Sequence, residues 1–127
     1  MTTILLIEDN DAILDNLTEF LELEGFAVLS AKNGKKGIEL AKLYRPRLII
    51  CDVLMPEMDG YEVLRLLLDT TITNETAFIF STSKCETNDQ KEALRLGADG
   101  LITKPFELEC LLNIANDFIK SGSLRLC

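Results

Sequence analysis

The chain has no histidine and no tryptophan, only three prolines, and an aromatic content of 6%. Without histidine there is no Ser-His or Cys-His catalysis and little zinc chemistry. The four cysteines, Cys51, Cys85, Cys110 and Cys127, are not spaced as metal ligands. Free thiols in a cytosolic protein are the expectation. No apolar run approaches membrane-spanning length, and the net charge of −8 argues against an acidic membrane surface as a partner. The N-terminus enters an apolar strand pattern directly and lacks the basic start of a signal peptide. Positive charge is also scarce. Thirteen Lys and Arg face 21 Asp and Glu, and the net charge of −8 argues against direct nucleic-acid binding. Neither G-x-x-x-x-G-K-[ST] nor G-x-G-x-x-G occurs, which sets nucleotide-binding enzymes low.

What is present is a chain of 127 residues, 47% apolar, enough for one domain with a sizeable core. Its pattern alternates. Thr3 to Ile7 reads as a buried strand, followed by the acids Glu8 and Asp9 and the helix N-cap candidates Asn10 and Asp11. Ile13, Leu14, Leu17, Phe20 and Leu21 recur at helical spacing, and Gly25 suits the end of that helix. Phe26 to Ala31 is a second strand, Asn33-Gly34 a turn, and Ile38 to Tyr44 a weaker helix that stops before Pro46. Leu48 to Cys51 forms a third strand leading to Asp52, and Gly60 opens a helix to about Leu68. The polar segment Asp69 to Thr76 reads as loop. Ala77 to Phe80 is a fourth strand, Thr87 to Leu96 a short helix stopped by Gly97, and Gly100 to Thr103 a fifth strand before Lys104-Pro105. Leu108, Leu111, Leu112, Ala115, Phe118 and Ile119 give the last helix one apolar stripe. Five strands alternating with five helices imply an α/β fold, a parallel sheet covered on both faces. Residues 1–120 are expected to be one domain, with 121–127 a frayed tail or the start of a linker.

In a parallel sheet the carboxyl ends of the strands share one edge, where open α/β sheets hold their ligands. Leaving those ends are Glu8 and Asp9, then Asp52, then Thr82, then Lys104. Singly each has an ordinary explanation: an acid at a strand end caps the next helix or faces water, a Thr caps, a Lys-Pro turns. Jointly they predict three carboxylates, a hydroxyl and an ammonium in one place. Clustered carboxylates resist ionisation, and a divalent cation relieves the repulsion. Hard oxygen ligands favour Mg2+, with Mn2+ able to substitute. The chemistry that fits is phosphoryl transfer, with Asp52 as nucleophile, the metal and Lys104 stabilising phosphoryl oxygens, and Thr82 donating a hydrogen bond to the attached phosphate.

These stretches carry a family resemblance. I-E-D-N at Ile7 to Asn10, D-V-L-M-P-E-M-D-G at Asp52 to Gly60, F-S-T-S-K at Phe80 to Lys84 and T-K-P-F at Thr103 to Phe106 resemble, in order and spacing, the receiver domains of two-component response regulators, similar to single-domain chemotaxis regulators. The match spans about Thr3 to Lys120. It implies a flavodoxin-like, doubly wound (βα)5 sandwich with strand order 2-1-3-4-5. It implies that Asp52 takes phosphate from a phosphohistidine on a sensor histidine kinase or histidine phosphotransfer protein. By the same resemblance Asp9 and Asp52 bind Mg2+ directly, Glu8 partly through water, and the backbone carbonyl of Leu54 completes the protein ligands. Thr82 is the switch hydroxyl, and a cis peptide is expected before Pro105. The switched face would be the fourth helix, fifth strand and fifth helix, serving an output partner or a phosphorylation-dependent homodimer. Such a protein is a cytoplasmic signalling phosphoacceptor and not an enzyme acting on free substrates.

Four positions stand out. The family usually has Tyr or Phe three residues before its lysine, and here that position is Leu101. Ser83 stands where a small alanine is commoner, and Leu54 and Lys84 occupy positions that in the family tune water access to the phosphoryl group. Leu54 also weighs against a phosphatase of the haloacid-dehalogenase type, which needs a second Asp there. A phosphorylation-independent interaction domain is the alternative reading, and it rests on Leu101.

Overall fold

Every position of the segment Leu48–Asp52 is buried, as expected of an aliphatic strand through the middle of a parallel sheet. The computed structural model describes residues 2–70, 76–83, 87–104 and 107–121; the side chains of 70, 87–90 and 118–121 lie outside the description. The strands are β1 Thr3–Ile7, β2 Ala27–Ala31, β3 Leu48–Asp52, β4 Ala77–Thr82 and β5 Gly100–Thr103. The helices are α1 Asp11–Leu23, α2 Gly34–Tyr44, α3 Gly60–Thr70, α4 Thr87–Arg95 and α5 Leu108–Ser121. The sheet is parallel in the order β2-β1-β3-β4-β5, the expected flavodoxin-like arrangement.

Strand residues alternate between two cores. On one side Leu5, Ile7, Ile49, Cys51, Phe78, Phe80 and Leu101 meet Ile38 and Ala41 of α2 and Val63, Leu64 and Leu67 of α3. On the other, Ile4, Leu6, Leu48, Ile50, Ile79 and Ile102 meet Leu14, Leu17 and Leu21 of α1 and Leu111, Ile114 and Ala115 of α5. The period-2 strand pattern is thus split between faces, and each helix adds its 3.6-period stripe. In α5 the buried set includes Ile114, absent from the expected stripe, while Leu112 is only partly covered.

Local chemistry sets the boundaries. Asn10 caps α1, its Oδ1 accepting from the Ile13 N–H at 3.0 Å, and Gly25 follows the α1 C-cap at φ +96°. Helix α2 begins four residues earlier than expected, at Gly34, capped by Asn33. The glycines Gly34 and Gly37 hid its first turn, since glycine weakens a helix. Packing requires them: a Cβ at Gly34 would lie 2.7 Å from Val63 Cγ2, and one at Gly37 would collide with Ile7. Helix α3 continues through Asp69 and Thr70, where the polar sequence suggests loop; residues 71–75 are outside the described residues. Strand β4 runs on through Ser81 and Thr82 because both find ladder partners, Ser81 with Asp52 and Ile102 and Thr82 with Thr103.

Cys51 is a buried free thiol whose proton is held by burial and then by the charge of Asp52. Cys110 is disulfide-bonded, which corrects the expectation of free thiols. Spacing along a chain cannot exclude a pairing that the fold brings within range. Cys85 and Cys127 lie outside the described residues. Among the described residues no helix is long and apolar enough to cross a membrane.

Candidate functional site

The ends of β1, β3, β4 and β5 converge as the topology requires. Glu8 follows β1 and is held by its own backbone, whose N–H donates to the Ala31 carbonyl at 3.0 Å. Its Oε2 accepts from the Asn10 N–H at 3.2 Å, so the residue that caps α1 also orients this carboxylate. Asp9 follows Glu8 and is exposed. Asp52 is the last residue of β3 and is buried. One carboxylate oxygen from each of Glu8, Asp9 and Asp52 lies within 4.8 Å of the others.

Lys104 closes the cluster from β5. Its N–H donates to the Thr82 carbonyl at 2.7 Å, and its Nζ donates to Glu8 Oε1 at 2.5 Å and sits 3.5 Å from Asp52 Oδ2. Thr82 itself is buried at the end of β4. The sequence predicted the meeting of these residues. It did not show that Lys104 bonds Glu8 more tightly than Asp52, because chain order gives the edge and not the rotamers.

The charges divide unequally. Burial pushes the Asp52 carboxyl up, the charge of Glu8 pushes it further, and Lys104 offsets only part, leaving it at about 6. Burial also opposes ionisation of Glu8, but the hydrogen bond from Lys104, the Asn10 N–H and the Lys104 charge outweigh it and bring Glu8 below its ordinary range. For Lys104, burial disfavours the ammonium, and its bond to Glu8 and the Asp52 charge overcome this and raise it. Asp52 is therefore the carboxylate short of positive charge. A hard divalent cation among these oxygens would supply it, so the donor set fits Mg2+ or Mn2+.

The loop after Asp52 is pinned at both ends. The Val53 N–H donates to the Ser81 carbonyl at 3.1 Å, and the Gly60 N–H returns to the Val53 carbonyl at 2.8 Å. Asp59 Oδ1 caps α3 by accepting from the Glu62 N–H at 2.9 Å. A Cβ on Gly60 would fall 2.5 Å from the Asp52 carbonyl oxygen, so the start of α3 lies directly against the backbone of the acid. A Gly at a helix start is visible in the sequence, but this contact with the Asp52 backbone is not. Leu54 sits in the loop and is 60% exposed, open to water two residues after Asp52.

Leu101 is only 7% exposed and pairs across the ladder with Phe80, whose ring packs on Tyr61 at a centroid distance of 5.0 Å. The position is filled by an aliphatic core side chain, and the nearby rings belong to β4 and α3. Ser83 is exposed. Lys84 and Pro105 lie outside the described residues.

The family model described as the response regulator receiver domain matches residues 4–116. Protein PilH of Pseudomonas aeruginosa is 34% identical over 116 residues, 91% of this chain and 96% of that protein. The probable transcriptional regulator ycf29 of Pyropia yezoensis is 35% identical over 122 residues, but the chain spans only 55% of its length. About half the length is likewise spanned in several other curated relatives. The receiver domain of a Francisella response regulator superposes with a TM-score of 0.89 at 26% identity, covering 97% of this chain and 100% of that one.

Proposed function

The chain belongs to the family of response regulator receiver domains, and on that premise we propose that Asp52 is the phosphoacceptor of a two-component phosphorelay. A family of this kind is a signalling phosphoacceptor and not an enzyme turning over free substrates. The observation that carries the reading is the meeting of Glu8, Asp9, Asp52 and Lys104 at one sheet edge, with Asp52 the acid short of a counter-charge.

In the proposed step, an Asp52 carboxylate oxygen attacks the phosphorus of a phosphohistidine on a sensor histidine kinase or phosphotransfer protein. A P–O bond forms, the P–N bond breaks, and the electron pair leaves with the imidazole nitrogen. Asp9 and Asp52 would hold Mg2+, with Glu8 and the Leu54 carbonyl completing the protein's contribution. The ion's part is charge neutralisation at the phosphoryl oxygens. Lys104 is 3.5 Å from Asp52 and is placed to meet a phosphoryl oxygen by letting go of Glu8. Thr82, at the end of the neighbouring strand, donates its hydroxyl to the phosphate. The new charge then biases the face formed by α4, β5 and α5 toward an output partner or a homodimer, without an aromatic gate at Leu101. The receiver is taken as residues 1–120, and 121–127 as a tail or linker.

The test is intact mass after incubation with Mg2+ and acetyl phosphate, beside Asp52→Asn. A gain of one phosphate that requires both Mg2+ and Asp52 supports the reading. If neither this donor nor a beryllofluoride phosphoryl mimic acts on the chain, the phosphorylation-independent interaction domain takes its place.

A further inference from the structure

Two surface patches outside the acidic site lie together at the opposite edge of the sheet. At the end of α2, Lys42, Leu43, Tyr44, Arg45 and Arg47 are all exposed, with Leu43 at 72% and Tyr44 at 55%. No acid interrupts Lys42 to Arg47, although the chain carries a net charge of −8. Among the described residues Lys42, Arg45 and Arg47 have no ion-pair partner. The segment is held rigidly. Arg45 is fixed in the left-handed region at φ 46°, the Arg47 N–H donates to the Thr3 carbonyl at 2.9 Å, and the Arg47 carbonyl accepts from Ala77 at 2.9 Å.

At the end of α1 stands the complement. Glu22, Leu23 and Glu24 are exposed, with Leu23 at 80%, and neither acid has an ion-pair partner among the described residues. The last turn of α1 holds no basic residue, so both acids sit at the negative end of the helix dipole, where they are unfavourable. A cation from outside would relieve both effects.

The topology relates the two patches. Helices α1 and α2 pack over the same strands, β1 and β2, but on opposite faces, and both end at the amino edge of the sheet. A two-fold axis along that edge, in the sheet plane and perpendicular to the strands, exchanges the faces. It sets the α2 end of one copy against the α1 end of the other, twice over. We propose that the occupant of this edge is a second copy of the chain, in an isologous dimer where Lys42 and Arg45 face Glu22 and Glu24 of the partner copy, with Leu43 and Tyr44 against Leu23. One symmetry operation covers both patches, and charge complementarity sets the register. The contact leaves Asp52 open, so it forms with or without phosphate.

The experiment is sedimentation equilibrium of the full chain from about 10 μM to about 1 mM, where a weak dimer of dissociation constant on the order of 100 μM is expected. K42E/R45E and E22K/E24K should each raise that constant at least about tenfold, and the variant carrying all four changes, or an equimolar mixture of the two double variants, should restore it. The E22K/E24K variant lowers the net negative charge, so non-specific association would tighten there. Circular dichroism checks that each variant is folded. A wild-type chain that stays monomeric throughout, double variants that associate like the wild type, or masses growing past the dimer would overturn the proposal.

Discussion

Asp52→Asn should stabilise the metal-free protein, although it removes the residue on which the proposed function depends. In the folded state the Asp52 carboxyl sits at about 6 against an ordinary 3.8, because burial and then Glu8 oppose its charge. A raised carboxyl binds its proton more tightly in the folded state. Folding therefore bears a cost that is complete above about pH 6, shrinks as pH falls toward 3.8, and is gone below it. The difference between 3.8 and about 6 corresponds to about 3 kcal/mol. Water reaching the mouth of the site screens part of it, so about 1–2 kcal/mol is the expected gain. Asparagine keeps the shape and removes the charge. Urea denaturation at pH 8 without divalent ions should show this gain, and thermal unfolding a rise in Tm of about 5 °C for a domain of this size. At pH 5 the gain should fall to about half. Millimolar Mg2+ should stabilise the wild type and not the variant, closing the gap. A variant no more stable than the wild type at pH 8, or one whose advantage grows at pH 5, would refute the electrostatic account of the site.

Gly60→Ala should destabilise the fold by about 1–3 kcal/mol, since its Cβ would meet backbone atoms of Asp52 and Val53, which cannot swing away; denaturation measures this, and slower acetyl-phosphate labelling would accompany it. Lys104→Met should leave Glu8 and Asp52 without their shared cation, costing about 1–2 kcal/mol at neutral pH. Glu8 is held below its ordinary range, so its contribution is present above about 4.5 and lost as pH falls through the lowered value. The wild type and Lys104→Met should thus converge in acid, and parallel urea midpoints across pH would sink this account. Leu101→Phe should overpack the core beside Phe80 and cost about 1–3 kcal/mol, whereas Leu101→Ala should cost about 2–4 kcal/mol by opening a cavity. An unchanged Tm in Leu101→Phe would mean that the position has room for a ring.

Much of the site was legible because a parallel sheet turns chain order into place. Glu8, Asp52, Thr82 and Lys104 each stand at the end of a short, mainly apolar run, and those runs must pair in parallel for their helical crossovers to cover both faces. Less legible were features that depend on packing across the sheet. The early start of α2 at Gly34 looked like a turn, because the reason for two glycines is the approach of Val63 and Ile7 from other elements. The continuation of β4 through Ser81 and Thr82 is decided by the ladder partners, not by their weak strand preference.

Alone, then, the sequence determined the fold class, the one-edge convergence of the acids and lysine, and the chemistry that such a group supports. These follow from periodicity and topology, which are properties of the chain. The tertiary structure decided how the charge is shared: Lys104 lies closer to Glu8, Glu8 is brought down, and Asp52 is left near 6. It also decided that Leu101 is a core residue beside Phe80, and that a basic end of α2 and an acidic end of α1 share one edge. Such outcomes turn on distances of a few ångströms between residues far apart in the chain, and local patterning carries no measure of them.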